Sequence, residues 1–408
     1  MQISLKNSII GECHRTMKTL TMDPGKILEN MVRRRMFLSY DADVDLGSLD
    51  WSILNIPYVL NVAPLIWAKG MKCSIDVLDA QFFTSLRNIK QGFQSLYPFL
   101  EWDGEIFPEK LIHNTLPEPR NSIRNILFFS GGVDSTYSAL KANLNETALL
   151  IVRGHDISLE DNEAWDLVLD KASHFSESLG VKTFTVSANI FRFLYYSPIH
   201  KQFPRLIPWY GTVQHALSIA GLAFPIAFYN GWDQVCFSSS NDEISEHLPW
   251  GAHPLIEPKL NAGGISVVST GDNITWVKKI RHIVEYYRER PHLGKPQLRV
   301  CLDGMSGKTG NNCSECLKCL RRVVALMLFS EDPNEWGFEI PEPLFSVVKT
   351  RCLNLKFNSI YETYYWKDMA RTARSYFDKE SYEYRAFFIW LEKWNPRVLS
   401  DTTREKER

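Results

Sequence analysis

The chain predicts an α/β fold: a parallel sheet with helices on both faces, an N-terminal α+β accessory domain and a helical C-terminal region. Three observations lead there. Short apolar runs at 126–129, 149–152, 181–186 and 234–239 alternate with segments of helical periodicity. The first run enters a glycine pair, Gly131-Gly132, just before a helical segment. Beyond residue 319 the apolar residues fall at helical spacing to Phe329, and the chain stays aromatic-rich to about Trp394.

Residues 1–118 form the expected accessory domain. Met36–Tyr40 and Cys73–Val77 read as strands, Ile53–Lys69 is apolar and aromatic, and Leu86–Leu96 has helical spacing. The basic triplet Arg33–Arg35 reads as a solvated face. The stretch Leu116-Pro117-Glu118-Pro119-Arg120 is a linker. Residues 119–330 carry the alternating strands and helices. One helix is expected over Asn162–Leu179, stopped by Gly180, and a buried one over Tyr210–Ala223, with His215 and Cys236 as core residues. Residues 331–408 are the helical region, ending in the polar tail Thr402–Arg408.

The 408 residues are 45% hydrophobic and 23% charged, enough apolar material for a full core and sufficient for two to three domains at about 150 residues each. The net charge of −1 argues against a nucleic-acid-coating protein, which carries a basic excess. The apolar stretches 56–68 and 216–229 are broken by Asn61, Pro64 and Pro225 and fall short of a membrane span. The N-terminal sequence lacks a signal-peptide apolar region, so a cytoplasmic protein is expected.

Ser130-Gly131-Gly132-Val133-Asp134-Ser135-Thr136 follows an apolar strand and opens a helix. Two glycines let the backbone turn its N–H groups inward into an anion-binding nest, and the helix N-terminus adds partial positive charge. Ser130 and Ser135 can donate to phosphate oxygens, and Asp134 can ligand Mg²⁺ or cap the helix. Neither the Walker spacing nor GxGxxG is present. Arg153, at the carboxyl edge of the second strand, and Lys279 are further candidate phosphate contacts.

Cys301-x11-Cys313-x2-Cys316-x2-Cys319 places four thiols in a short stretch. Such a set suits a closed tetrahedral Zn²⁺ site of structural character; an iron–sulfur cluster or buried free cysteines also fit. Lys318, Arg321 and Arg322 can offset its negative charge.

SGGVDS closely resembles the SGGxDS loop of the PP-loop ATP-pyrophosphatase superfamily. Together with C…CxxCxxC it looks like the 7-cyano-7-deazaguanine synthases and their relatives, over roughly residues 123–329, about half the chain. The resemblance implies ATP splitting between the α- and β-phosphates. A carboxylate such as 7-carboxy-7-deazaguanine is adenylated, then attacked by ammonia or by an amine on a partner protein, to give an amide or nitrile. It implies ATP, Mg²⁺ and Zn²⁺ as cofactors, with Ser130, Gly131, Gly132, Val133, Asp134, Ser135 and Thr136 at ATP, and Asp134 and Ser135 central to catalysis. Two features depart from the synthases. They lack a counterpart of residues 1–118, and their substrate segment is here replaced by Ser239-Ser240-Asn241-Asp242 and Trp250-Gly251-Ala252-His253-Pro254-Leu255-Ile256-Glu257. In those respects the chain looks more like larger relatives from bacterial antiviral defence clusters. Trp250 can stack on a purine-like ring and His253 or Glu257 can bond its edge; a packed loop is the plainer reading. Homo-oligomer formation is compatible with the sequence. Two other functions stay open: a tRNA-thiolating enzyme and a non-catalytic ATP-binding scaffold or sensor. Asparagine-synthetase-like amidation is disfavoured, because Gln2 stands where its nucleophilic cysteine would be.

Overall fold

A computed structural model describes residues 30–33, 35–41, 44–239, 249–301, 311–340, 343–353, 360–376 and 382–394, and the short strands at 2–5, 7–8 and 19–22. Arg34, Ser240, Asn241, Asp242 and the tail Thr402–Arg408 lie outside the described residues. The first elements are β1 (Gln2–Leu5), β2 (Asn7–Ser8), β3 (Thr19–Met22), β4 (Met36–Tyr40), α1 (Trp51–Leu54), α2 (Ile56–Ala68), β5 (Lys72–Asp79), α3 (Ala80–Leu96) and β6 (Glu105–Ile112). There follow β7 (Asn125–Phe128), α4 (Val133–Lys141), β8 (Thr147–Arg153), α5 (Asn162–Leu179), β9 (Lys182–Ala188), α6 (Ile190–Phe193), α7 (Tyr196–Gln202), α8 (His215–Asn230), β10 (Gln234–Ser238), β11 (Asn261–Ala262) and β12 (Ile265–Thr270). The last are α9 (Trp276–Arg288), α10 (Leu317–Leu328), α11 (Leu344–Leu353), α12 (Ile360–Tyr376) and α13 (Tyr382–Lys393).

The chain divides into two compact units rather than the three expected segments. The first is Met1–Ser130 with Ser138–Asn273, and the second Gly131–Tyr137 with Ile274–Arg408.

In the first unit, nine strands form one sheet in the order β11-β12-β10-β7-β8-β9-β4-β3-β2. The five from β12 to β9 are parallel. Successive strand residues point to opposite faces, and both faces are covered. Leu127, Leu149 and Ile151 pack with Trp165, Val168 and Phe175 of α5. Ile126, Ala148 and Leu150 join the larger core that includes Phe224 of α8. Helix α5 has the bounds its periodicity predicts: Asp161 accepts from the Ala164 amide at its start, and Gly180 ends it at φ 66°.

The boundary expected near residue 118 does not separate two cores. Strand β4 pairs antiparallel with β9, Leu38 opposite Ala188, so the early strands extend the same sheet. Every residue of α2 is buried, and α2 packs against α8. A second, all-parallel sheet runs β1-β5-β6. Pro108 in β6 is tolerated because β6 is an edge strand, where a missing N–H costs no ladder bond. Asp79 ties this sheet to the larger one: its Oδ1 accepts from the Phe82 amide (2.8 Å) and the Gly263 amide (3.0 Å).

A π-helical turn, Tyr210–Gln214, leads directly into α8. The joined helix Tyr210–Asn230 exceeds the expected end at Ala223. By length and composition alone it could cross a membrane, yet 83% of its apolar window is buried in the protein, as in a core helix.

In the second unit α9 packs against α10 and α12. That packing explains why α9 and the cysteine segment group with the C-terminal helices. Arg321 lies over the Tyr365 ring (4.2 Å) and Arg322 over Trp276 (5.0 Å). The buried Glu331 carboxylate accepts from Arg288 Nε (2.7 Å) and Trp336 Nε1 (3.1 Å) and pairs with Lys295 Nζ (2.6 Å).

Candidate functional site

Strand β7 delivers the chain through Phe129 and Ser130 into the glycine pair. The Phe129 amide donates to the Leu150 carbonyl (2.9 Å), which continues the ladder almost to the loop. Gly131 takes φ 73°, a left-handed conformation that a side chain resists. Its carbonyl accepts from the Arg299 amide (2.8 Å). Helix α4 then begins at Val133. Its first-turn amides have no helical carbonyl upstream and form the positive end of the helix.

Within that turn the Thr136 amide donates to the Gly132 carbonyl (2.9 Å), and the Ser135 hydroxyl donates to the same oxygen (3.2 Å). Val133, Ser135 and Thr136 are buried. Asp134 accepts from Lys279 Nζ at 2.7 Å. Lys279 is 1% exposed at its side chain and Asp134 31%. The Lys279 ammonium also lies 5.9 Å from the Tyr137 ring centroid. Two candidates separated by 145 positions in sequence are thus in direct contact. Chemically this is a glycine turn at a helix N-terminus with a carboxylate and a buried ammonium beside it, an arrangement that suits a polyanion with a metal counter-ion.

Arg153 is engaged elsewhere. Its Nη2 donates to the Leu159 carbonyl (2.8 Å) and Asn162 Oδ1 (2.5 Å), and its guanidinium lies 5.5 Å from the Trp165 ring. These contacts brace the loop before α5.

The four cysteines converge. Their sulfurs all lie within 4.8 Å of one another, with Cys301–Cys316 at 4.0 Å and Cys313–Cys319 at 3.9 Å. A tetrahedral zinc with Zn–S of about 2.3 Å has sulfur–sulfur edges of about 3.8 Å, so the donor set fits a closed four-thiolate metal site. The Cys316 amide donates to Cys313 Sγ (3.3 Å) and the Cys319 amide to Cys316 Sγ (3.4 Å). Cys316 is pushed down to about 5, foremost by its hydrogen bond with the Cys319 thiol.

Sequence reasoning missed Asn312, which clasps this site. Its Oδ1 accepts from the Val300 (2.9 Å) and Cys301 (3.2 Å) amides, and its Nδ2 donates to the Leu298 (2.7 Å) and Gly337 (2.8 Å) carbonyls. Only its place beside Cys313 could have drawn attention to it.

The remaining candidates form one turn in the first unit. His253 is buried and Nδ1 accepts from the Leu255 amide (3.1 Å), while its carbonyl accepts from Ile256 (2.8 Å) and Glu257 (3.2 Å). That Nδ1 atom shapes the turn and is not open to a ligand. Glu257 is buried and accepts from Ser269 Oγ (3.0 Å). The Trp250 carbonyl accepts from the His253 amide (3.2 Å), and its ring lies 6.2 Å from that of His215.

Burial raises Glu257 from its ordinary 4.5 to about 8, partly offset by the Ser269 bond. Between those values the folded chain keeps a proton that the unfolded chain has released. Stability therefore falls as pH climbs from about 4.5 to about 8. Glu257→Gln is expected to flatten that decline in denaturant melts run across the range; an unchanged slope would place the titration elsewhere.

No protein-family model matches this chain, and no curated protein matches it.

Proposed function

We propose that the chain splits ATP between its α- and β-phosphates to adenylate a carboxylate, which a nitrogen nucleophile then captures. The observation that carries this reading is the SGGVDS turn between β7 and α4, with Gly131 in the left-handed region and Asp134 against Lys279. A carboxylate oxygen attacks the α-phosphorus and the bond to the β-phosphate breaks, releasing pyrophosphate. The nitrogen then attacks the acyl carbon, loses a proton, and AMP leaves.

The loop amides and the Ser130 and Ser135 hydroxyls would hold the departing phosphates, and Lys279 would place a fixed positive charge beside them. Bound Mg²⁺ supplies charge neutralisation on the phosphates, and Asp134 is the residue that would hold it. Catalysis here is positioning and charge stabilisation, with no covalent enzyme nucleophile. The resemblance of the two motifs supports 7-carboxy-7-deazaguanine or a relative as the carboxylate, and ammonia or a partner-protein amine as acceptor. We further propose that the four cysteines hold zinc in a structural role.

The test is mass spectrometry of the protein with ATP, Mg²⁺, 7-carboxy-7-deazaguanine and ammonium. AMP, pyrophosphate and an amide or nitrile are expected. Adenylate that accumulates without amide points to a partner-protein amine. ATP that binds but is never split rejects the enzyme in favour of a sensor.

A further inference from the structure

We infer that His155, Tyr210, His215 and Trp250 form a binding site for an uncharged planar heteroaromatic ring with hydrogen-bonding groups on its edge. All four residues belong to the first unit. His155 follows the carboxyl end of β8, where ligands bind in parallel sheets. Tyr210 opens the π-helical turn and His215 begins α8. Such turns recur at functional sites. Trp250 comes from the loop after β10, which is pressed onto the turn: the Gly251 amide donates to the Gly211 carbonyl (2.9 Å), and a Cβ at Gly251 would meet the Val213 carbonyl carbon at 3.0 Å.

The rings adjoin. Centroids are 5.5 Å apart for His155–Tyr210, 5.6 Å for His155–His215 and for Tyr210–His215, and 6.2 Å for His215–Trp250. On three of them a polar atom is shielded from solvent and has no hydrogen-bond partner: Tyr210 Oη, His215 Nδ1 and Trp250 Nε1. Tyr210 itself is 9% exposed. The Ser218 hydroxyl donates to the His215 carbonyl (2.9 Å) and lies close to Tyr210 Oη without completing a hydrogen bond to it. Buried polar atoms are almost always paired, so three in one cluster point to a partner that the chain does not supply.

The lining selects the ligand's chemistry. Indole N–H is a donor only, whereas phenol and neutral imidazole can each donate or accept. His215 is held neutral, its burial pushing it down to about 4. The ionised neighbour is Asp156, already bonded to His155 Nδ1 (2.8 Å). A phosphate or carboxylate would lose its hydration here against aromatic faces, whereas a neutral base would stack and bond. The turn is also braced in advance: Tyr196 Oη donates to Gln214 Oε1 (3.1 Å), and Gln214 Nε2 donates to Asn61 Oδ1 (2.8 Å).

Only the identity of the ring as the base of the adenylated carboxylate rests on the proposed function. Calorimetric titration of the full chain with hypoxanthine, cytosine and indole tests the site. A base should bind, indole should not, and Tyr210→Phe should weaken base binding about fivefold or more. Trp250→Phe should weaken it as well. Because Tyr210→Phe deletes a buried orphan hydroxyl, its melting temperature should equal or exceed that of the wild type, which excludes misfolding as the cause. The proposal fails if neither base binds at millimolar concentration, if indole binds as well, if both variants bind as the wild type does, or if a crystal structure shows ordered water bonded to all three atoms. AMP formation in the same preparation is read separately. Base binding without AMP rejects the adenylation reading alone, and AMP without base binding rejects the ring site alone.

Discussion

Cys316→Ser is expected to lose the proposed zinc and to melt far below the wild type. Its sulfur lies 4.0 Å from Cys301 Sγ and accepts the Cys319 amide, so it bonds on two sides of the cluster. Structural four-ligand zinc sites carry binding free energies of about 10–16 kcal/mol, comparable to the whole stability of an ordinary domain at about 5–15 kcal/mol. Elemental analysis should find about one zinc per wild-type chain and almost none in the variant. Iron, with a visible absorption band in anaerobically purified protein, would replace zinc by a cluster. Metal-free wild-type protein that melts at the same temperature with and without added zinc would remove the metal role altogether.

Asp134→Ala is expected to abolish AMP formation and to destabilise the chain. The substitution removes the carboxylate facing an ammonium that is 1% exposed. Breaking a buried pair from one side costs about 3–5 kcal/mol, and the 31% exposure of Asp134 lowers the expectation to about 2–3. The loss in rate should reach at least about a hundredfold, the scale of losing one preorganised group that stabilises developing charge. Asp134→Ala combined with Lys279→Met separates the two effects. The double variant has no stranded charge and should recover much of the stability, yet it should still form no AMP. Recovery of AMP formation with stability would make the pair purely structural.

The motifs that suggest chemistry are legible because each lies within one short stretch. SGGVDS and CxxCxxC need only local backbone geometry, and their residues meet as their spacing implies. Helix α5 is legible for the same reason, with Asp161 and Gly180 marking its ends. What escapes is long-range. Nothing local in Met36–Tyr40 says that it will pair with β9, and the proline-rich stretch 116–120 reads as a domain boundary although the core continues past it. Strand β12 is hidden by its partly exposed second half, and β6 by Pro108. The Tyr210–His215–Trp250 cluster draws single residues from a turn, a helix and a loop, and no spacing rule connects them. His253 misleads in the opposite sense: an imidazole in a loop invites a ligand, but its Nδ1 is committed to the Leu255 amide.

The nine-stranded sheet ends, among the described residues, in strands of only two residues, β2 on one side and β11 on the other. A long unpaired strand would offer a row of free amides and carbonyls to the next molecule. Two residues give too short a template for such templated growth. High concentrations of this protein should therefore resist fibrillar self-association through the ends of that sheet.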